Sequence, residues 1–179
     1  MKKQLWYVSL VIGLLLAAGA FAVSAHDNTV RARLTGKQEV PVVSSQASGD
    51  FEARIEDTKV TFKLTYENIE GGAVAQAHIH LGQRSVNGGV MVFLCGGPRP
   101  ACPASPATVE GTITGADIIA LATQQIPAGA VNPDGAFEEF VRALRNGTAY
   151  ANVHTATSPG GEIRGQIRVD RRRHGHDDH

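Results

Sequence analysis

Apolar and polar residues alternate in short runs along most of the chain, and this alternation limits the possible folds more than any other feature. The runs at residues 30–35, Val-Arg-Ala-Arg-Leu-Thr, and 51–56, Phe-Glu-Ala-Arg-Ile-Glu, show it clearly. A period of two is typical of half-buried β-strands. Similar runs occupy residues 60–66, 73–81, 90–94, 108–112, 148–155 and 162–169. About eight short strands divided by Gly-rich turns predict a mainly β protein, either an antiparallel sandwich or a barrel.

Residues 114–146 interrupt this alternation with a helical pattern. Thr114 is suited to cap a short helix that continues to Leu121. A second helix opens at Asn132-Pro133, carries apolar residues at helical spacing, and ends at Gly147. We expect these helices to form a short crossover packed across one end of the β structure.

The first 25 residues form a segment of their own. Lys2 and Lys3 precede an apolar run over residues 5–23, and Val23-Ser24-Ala25 supplies small residues for a signal peptidase. This pattern predicts a secretory signal peptide, residues 1–25, and hence a secreted, periplasmic or cell-surface protein. An uncleaved membrane anchor is the alternative, because the run approaches the length that spans a bilayer. No other stretch could span a membrane, so we expect a mature form without a span.

The rest of the chain divides into one domain, residues 26–169, and a charged tail, residues 170–179. The tail contains histidines but no apolar residues, so we expect it to be disordered. Seventeen basic and seventeen acidic residues leave the whole chain without net charge. Binding to phosphates needs a positive excess, and this balance argues against nucleic acid as a partner.

Cys95 and Cys102 are the only cysteines in the chain. In an oxidising compartment, an even pair this close predicts a disulfide that closes a loop containing Gly and Pro. A catalytic dithiol usually has two residues between its sulfurs, and a zinc site of cysteines needs more than two. The disulfide is therefore the favoured interpretation.

Histidine is the residue type with the clearest chemical potential in this sequence. His78 and His80 share one face of a candidate strand whose other face carries Ala77 and Ile79. On a later strand, the alternation turns His154 outward in the same way. If the two strands are neighbours, about 4.8 Å apart, the three imidazoles converge on one outer face. Neutral imidazole suits zinc or copper, so these residues form a candidate metal site.

Less specific interpretations stand beside the metal site. A surface His-x-His is often only a solvated pair that hydrogen-bonds its neighbours. Glu162 and Arg164 also face outward near the end of the domain, and an exposed cross-strand ion pair would account for them.

Several segments resemble the chordin-type (CHRD) domain. They read Leu-Thr-Gly-Lys-Gln-Glu-Val-Pro at residues 34–41, Ala-His-Ile-His-Leu-Gly at 77–82, Tyr-Ala-Asn-Val-His-Thr at 150–155 and Ser-Pro-Gly-Gly-Glu-Ile-Arg-Gly-Gln-Ile at 158–167. The similarity runs from about residue 30 to 169, with Val42 where a proline is common in the family. It implies an extracellular, immunoglobulin-like or Greek-key β-sandwich, and it implies little about activity.

A second, weaker resemblance is to the copper-zinc superoxide dismutases, which also carry His-x-His on one strand and Val-His on a later one. It implies His78, His80 and His154 as copper ligands and Arg164 as a residue that steers an anion. The chain lacks that family's zinc-binding histidine cluster and the histidine that bridges its two metals.

These observations leave several functional hypotheses. The leading one is a secreted, non-enzymatic β-sandwich that binds an unidentified extracellular protein or surface partner, with or without copper or zinc. The alternatives are a copper-dependent redox enzyme of the dismutase type and a periplasmic metal carrier. The carrier hypothesis draws on the potential metal ligands at the ends of the mature chain, which are His26, His174, His176 and His179.

Overall fold

The computed structural model describes residues 28–170. Its strands are β1 Thr29–Thr35, β2 Ser48–Ile55, β3 Lys59–Glu67, β4 Val74–Leu81, β5 Gly89–Cys95, β6 Ala107–Thr114, β7 Ala149–Thr155, β8 Ile163–Gln166 and β9 Arg168–Val169. Every candidate strand of the sequence is confirmed, and the last one is divided between β8 and β9. The described part of the chain is therefore mainly β, as the alternation predicts.

The two ends of the sequence fall largely outside this range. The predicted signal peptide and the predicted tail beyond Asp170 are not among the described residues. Asp170 itself lies against β1, where its backbone N–H donates to the carbonyl oxygen of Thr29. Its carboxylate also forms an ion pair with Arg31 at 3.1 Å.

The strands form one antiparallel sheet in the order β5-β4-β7-β8-β1-β2-β3-β6, and β9 also pairs with β1. Because β7 pairs with β4 rather than with β6, the chain crosses from one half of the sheet to the other. The sheet curls around a single apolar cluster that draws residues from both halves. This arrangement confirms the expected antiparallel β-sandwich, here nearly closed into a barrel.

The alternating residues of each strand explain how the core forms. Along β3, Val60, Phe62, Leu64 and Tyr66 are buried, whereas the side chains between them reach solvent or are half-buried. Phe62 packs on Phe51 of β2 with 6.4 Å between the ring centroids. Burying side chains of this size stabilises the fold by about 1.5–3 kcal/mol each.

The crossover between β6 and β7 contains the one α-helix of the described residues, α1, at Pro133–Asn146. The Asn132 side chain accepts a hydrogen bond from the backbone of Gly135 and so caps its first turn. Gly147 ends the helix in the left-handed region, with φ of 69°. Start and end match the sequence prediction. No helix within residues 28–170 has the length and apolar character needed to cross a membrane.

The short helix predicted from Thr114 to Leu121 is wrong. Gly115–Asp117 and Ala122–Gln124 each form only a single 3-10 turn. The backbone N–H of Ile119 donates to the carbonyl of Met91 in β5 instead of to a preceding turn. Pairing with the sheet edge therefore outcompetes the helix at this point.

Candidate metal centre

The face of β4, β7 and β8 that points away from the apolar core carries polar and aromatic side chains. Pairing aligns His78 with Asn152 and His80 with Tyr150 across β4 and β7. It then aligns Asn152 with Arg164 across β7 and β8. We call this set the polar layer; its members are His78, His80, Tyr150, Asn152, His154, Arg164 and Gln166.

The expectation that these side chains face solvent is wrong, because most of the polar layer is buried. His78 is 4% exposed, His80 7% and Arg164 2%, and of the three histidines only His154 is half-exposed. Three loops, at residues 36–47, 82–88 and 156–162, fold over the face and bond to it. Alternation assigns a side chain to a face of the sheet, but it does not reveal that a connecting loop returns to cover that face.

The predicted convergence of the three histidines is confirmed. The ring centroid of His78 lies 4.8 Å from that of His154 and 5.4 Å from that of His80. The centroids of His80 and His154 are 5.8 Å apart. β4 and β7 are hydrogen-bonded neighbours, and this pairing brings the three rings together.

Backbone carbonyls of two covering loops orient two of the rings. Nδ1–H of neutral His80 donates to the oxygen of Gly88 at 3.0 Å, and Nδ1–H of His154 donates to the oxygen of Pro159 at 3.0 Å. Each bond leaves Nε2 of that ring unprotonated, with a lone pair that can accept a hydrogen bond or bind a metal. Metal-bound histidines commonly have their second nitrogen held by a carbonyl or carboxylate in this way.

The remaining nitrogens lie close to one another. His78 Nδ1 is 3.1 Å from His154 Nε2, which accepts its hydrogen. Nε2 of His78 and Nε2 of His80 are buried without a protein hydrogen-bond partner. A buried nitrogen without a partner is costly, because it has lost its bonds to water.

Burial also keeps the histidines in the form that binds metals. It lowers the pKa of His78 to about 3, and the neighbouring His154 and His80 contribute to this shift. Burial likewise lowers the pKa of His80 to about 4, against the opposing effect of its bond to Gly88. The pKa of His154 is lowered for the same main reason. At neutral pH the three imidazoles are uncharged, as metal coordination requires.

One potential ligand nitrogen from each histidine lies within 4.8 Å of the others, so the group is positioned to hold a metal ion. Two nitrogens bound to one tetrahedral ion at about 2.0–2.1 Å lie about 3.3 Å apart. The pair His78 Nδ1 and His154 Nε2 is already close to this spacing, at 3.1 Å, and both nitrogens can bind the ion once the His78 proton moves from Nδ1 to Nε2. Movement of the His80 ring toward this pair would complete a shared ligand set.

Arg164 is neither an exposed ion-pair partner nor a residue open to solvent. Its guanidinium donates to Asn87 Oδ1 at 3.2 Å and to the carbonyl oxygens of Gln83 and Val86 at 3.1 and 2.9 Å. Its Cζ lies 3.5 Å above the centroid of the Tyr150 ring.

Arg164 therefore anchors the loop at 82–88. The same loop contains Gly88, whose carbonyl oxygen orients His80.

Glu162 does not pair with Arg164 either. Its carboxylate accepts hydrogen bonds from the Ser45 and Thr155 hydroxyls and from the backbone N–H groups of Glu70 and Gly71. Burial acts to raise the pKa of Glu162, but these bonds outweigh it and hold the pKa below its usual range. The residue fastens two loops to the end of β7.

Glu39 also belongs to the site, although no role was predicted for it; it lies in the segment at residues 34–41 that resembles the CHRD domain. It is 6% exposed, and its Oε1 accepts a hydrogen bond from Asn152 Nδ2 at 2.6 Å. Burial raises the pKa of Glu39 to about 7, against the lowering effects of Asn152 and Arg164. It lies in a loop without periodicity, so alternation could not place it. Tyr150, Asn152 and Gln166, by contrast, lie on the face that alternation assigns.

The sequence segments that contribute the polar layer and its covering loops correspond to one domain family. The model of the CHRD domain matches residues 30–167. The chain belongs to the CHRD domain family. No curated protein and no solved structure shows significant similarity to it.

The CHRD segments meet at one place in the fold. Residues 34–41 contribute Glu39, and residues 77–82 contribute His78 and His80. The segments at 150–155 and 158–167 contribute the rest of the polar layer and the carbonyl of Pro159. The motifs of this CHRD domain are therefore the parts of the chain that build and close the candidate metal centre.

Proposed function

We propose that this CHRD protein is a secreted, non-enzymatic binding protein that holds one copper or zinc ion between His78, His80 and His154. The observation that carries the proposal is the buried group of three ring nitrogens within 4.8 Å of one another. Imidazole nitrogen is a suitable ligand for either metal. The buried Nε2 of His80 has no protein hydrogen-bond partner, and a bound ion would provide one.

The proposed location and partner rest on separate observations. The apolar N-terminal pattern predicts export. The disulfide between Cys95 and Cys102 is the kind of bond that persists in oxidising compartments. The CHRD family is extracellular in character, which favours an extracellular protein or surface partner. Mass spectrometry of the exported protein should give an N-terminus at His26, whereas a retained segment 1–25 would contradict the signal-peptide proposal.

The metal proposal is tested by measuring metal content. Protein produced with its native N-terminal segment, and purified without an affinity-tag metal, is stripped with a chelator, loaded with copper or zinc, and desalted. We expect about one bound ion per chain by inductively coupled plasma mass spectrometry. Substituting His78 or His154 with Gln should abolish binding of that ion, because the remaining two imidazoles cannot complete the site.

The histidines of the tail require a matched control. A triple variant that replaces His174, His176 and His179 with alanine should retain the bound ion. If instead the tail variant loses the ion and the His78 variant keeps it, the metal belongs to the tail and the proposed site is wrong. Failure of the folded wild type to load either metal would also refute the proposal.

The non-enzymatic part of the proposal rests on Arg164. A residue that steers an anion toward a metal must present its charge to solvent, and this guanidinium is committed to three acceptors in the loop at 82–88. Copper-loaded protein should therefore show no superoxide turnover above that of the His78→Gln variant. Turnover that depends on His78 would establish the dismutase alternative instead.

A further inference from the structure

The charge of the ligand set distinguishes between the metals that the histidines can bind. Among the described residues, the group consists of three histidines and contains no carboxylate or thiolate. Each ligand is neutral, so an ion keeps its full charge when it enters the site. A zinc or copper(II) ion brings two charges into the polar layer, and copper(I) brings one.

Burial makes this difference large. His78 and His80 are 4% and 7% exposed, so the ion loses most of its surrounding water on that side. The cost of removing an ion from water increases with the square of its charge, so a divalent ion loses about four times as much as a monovalent one. Neutral ligands return only part of that loss.

Within the described part of the chain, the histidine group holds no carboxylate that would neutralise a second charge. The Arg164 guanidinium lies over Tyr150, whose ring stacks on His80 with 4.7 Å between centroids. It therefore adds a positive charge to the same buried face. Neither buried carboxylate belongs to the histidine group: Glu39 accepts a hydrogen bond from Asn152, and Glu162 accepts from three donors in other loops and from Thr155 of β7.

The number of ligands favours the same ion. With three histidines, zinc needs a water or another group as its fourth ligand, and copper(II) prefers a four-coordinate, tetragonal arrangement. Space beside the histidines is restricted, because Phe93 packs edge-on against His78 at 4.4 Å and Tyr150 covers His80. Copper(I) has a filled d shell and a single charge, and three nitrogen ligands satisfy it without a fourth.

We propose that the three-histidine site selects copper(I) over zinc and copper(II). This inference rests on the proposed function, since it names the ion that the proposed site takes. The selected ion is the one whose charge and ligand number match a buried, neutral set of three imidazoles.

The test compares the affinities of the folded protein for the separate ions, in the variant without tail histidines. Copper(I) is measured under anaerobic reducing conditions by competition with bicinchoninate, and the two divalent ions are measured by competition with chromophoric chelators. The disulfide is confirmed intact after each titration. We expect the dissociation constant for copper(I) to be at least about tenfold lower than that for zinc and for copper(II), a difference of about 1.4 kcal/mol or more.

A matched pair of variants tests the charge argument directly. Gln76 is half-buried and pairs with His154 across β4 and β7. The Gln76→Glu substitution adds a negative charge beside the site with little change in shape. The ratio of the dissociation constants for zinc and copper(I) should fall by roughly tenfold. The reason is that a divalent ion gains twice the attraction to the new carboxylate that a monovalent ion gains. Gln125→Glu, on an exposed turn, adds the same charge elsewhere and should leave the ratio unchanged.

The outcomes separate this inference from the proposed function. If no ion binds to the histidines, the proposed function fails. If zinc or copper(II) binds as tightly as copper(I), the site exists and the copper(I) inference is overturned. An unchanged ratio in a folded Gln76→Glu variant would show that charge does not set the preference.

Discussion

Replacing Arg164 with alanine tests how the polar layer is held together. The side chain is 2% exposed and makes three hydrogen bonds to the loop at 82–88. An exposed ion pair would contribute only about 0.2–1 kcal/mol to stability. A buried guanidinium with several acceptors should contribute much more, so the size of the loss distinguishes the two arrangements.

The expected loss follows from the contacts. A hydrogen bond to a charged group contributes about 1.5–3 kcal/mol net, and Arg164 makes three of them. The loop can regain bonds to water once the side chain is gone, which recovers part of this sum. Loss of the contact with Tyr150 adds about 1 kcal/mol. We therefore expect Arg164→Ala to lower the free energy of unfolding by about 3–5 kcal/mol.

Urea denaturation of the metal-free protein, followed by circular dichroism, measures this loss. Arg54→Ala is the matched control, because Arg54 is exposed on β2 and should change stability by less than about 0.5 kcal/mol. Arg164→Lys keeps the charge but not the planar arrangement of donors, and it should recover less than half of the loss. If Arg164→Ala is too unstable to fold, the loss of stability is measured on Arg164→Lys instead.

Loss of the Arg164 anchor should also weaken metal binding. Release of the loop at 82–88 frees the Gly88 carbonyl that orients His80, so the metal affinity of folded Arg164→Lys should fall by about 10–100-fold. A loss of stability below about 1 kcal/mol in Arg164→Ala would refute the anchoring role. If the Arg164→Lys variant is destabilised but its metal affinity is unchanged, the loop at 82–88 does not influence metal binding.

Further predictions concern pH, the covering loops and the disulfide. Because burial lowers the pKa of His78 to about 3 and of His80 to about 4 from 6.5, the unfolded chain takes up these protons first. Stability of the metal-free protein should therefore fall from pH 6.5 toward pH 4, as urea midpoints would show. Gly161→Ala should cost about 2 kcal/mol or more, because its φ is +123° and an added Cβ would lie 2.6 Å from Asn152 Oδ1. Gly160→Ala, with no atom within 4 Å of its Cβ, should be near neutral. Replacing both cysteines with alanine should cost about 2–3 kcal/mol, measured under non-reducing conditions.

Each of these predictions has an outcome that contradicts it. Glu39 opposes the acid effect, because its pKa is raised to about 7 and its contribution to stability is lost as pH rises from 4.5 to 7. Glu39→Gln should therefore make the loss of stability toward acid pH steeper. A shallower loss would contradict the raised pKa of Glu39. If Gly160→Ala and Gly161→Ala lower the free energy of unfolding equally, neither the positive φ of Gly161 nor its contact with Asn152 determines the cost. Alkylation of both cysteines in the native protein would exclude the disulfide.

The strands could be predicted because their core is formed by a period of two. Val60, Phe62 and Leu64 specify both the presence of β3 and the face that it buries. The α-helix was predictable for a similar local reason, since Asn132 and Gly147 mark its ends. Local patterns determine local structure, and these elements needed no information from distant residues.

The polar layer could be predicted only in part. Alternation put His78, His80 and His154 on a common face, but their burial depends on loops that return from distant parts of the sequence. The partners of Arg164 lie 77 to 81 positions away in sequence, and the alternation within a strand cannot predict so distant a contact. Glu39 was missed for the same reason, because its partner Asn152 is 113 positions away.

The position of β7 ties the pairing of the sheet to the assembly of the histidine group. Its inner face carries Ala149, Ala151 and Val153, and its outer face carries Tyr150, Asn152 and His154. A slip of one residue against β4 would exchange the two sets. Three polar side chains would then enter the apolar core, and His154 would turn away from His78. Metal uptake would therefore distinguish correctly paired molecules from slipped ones during refolding.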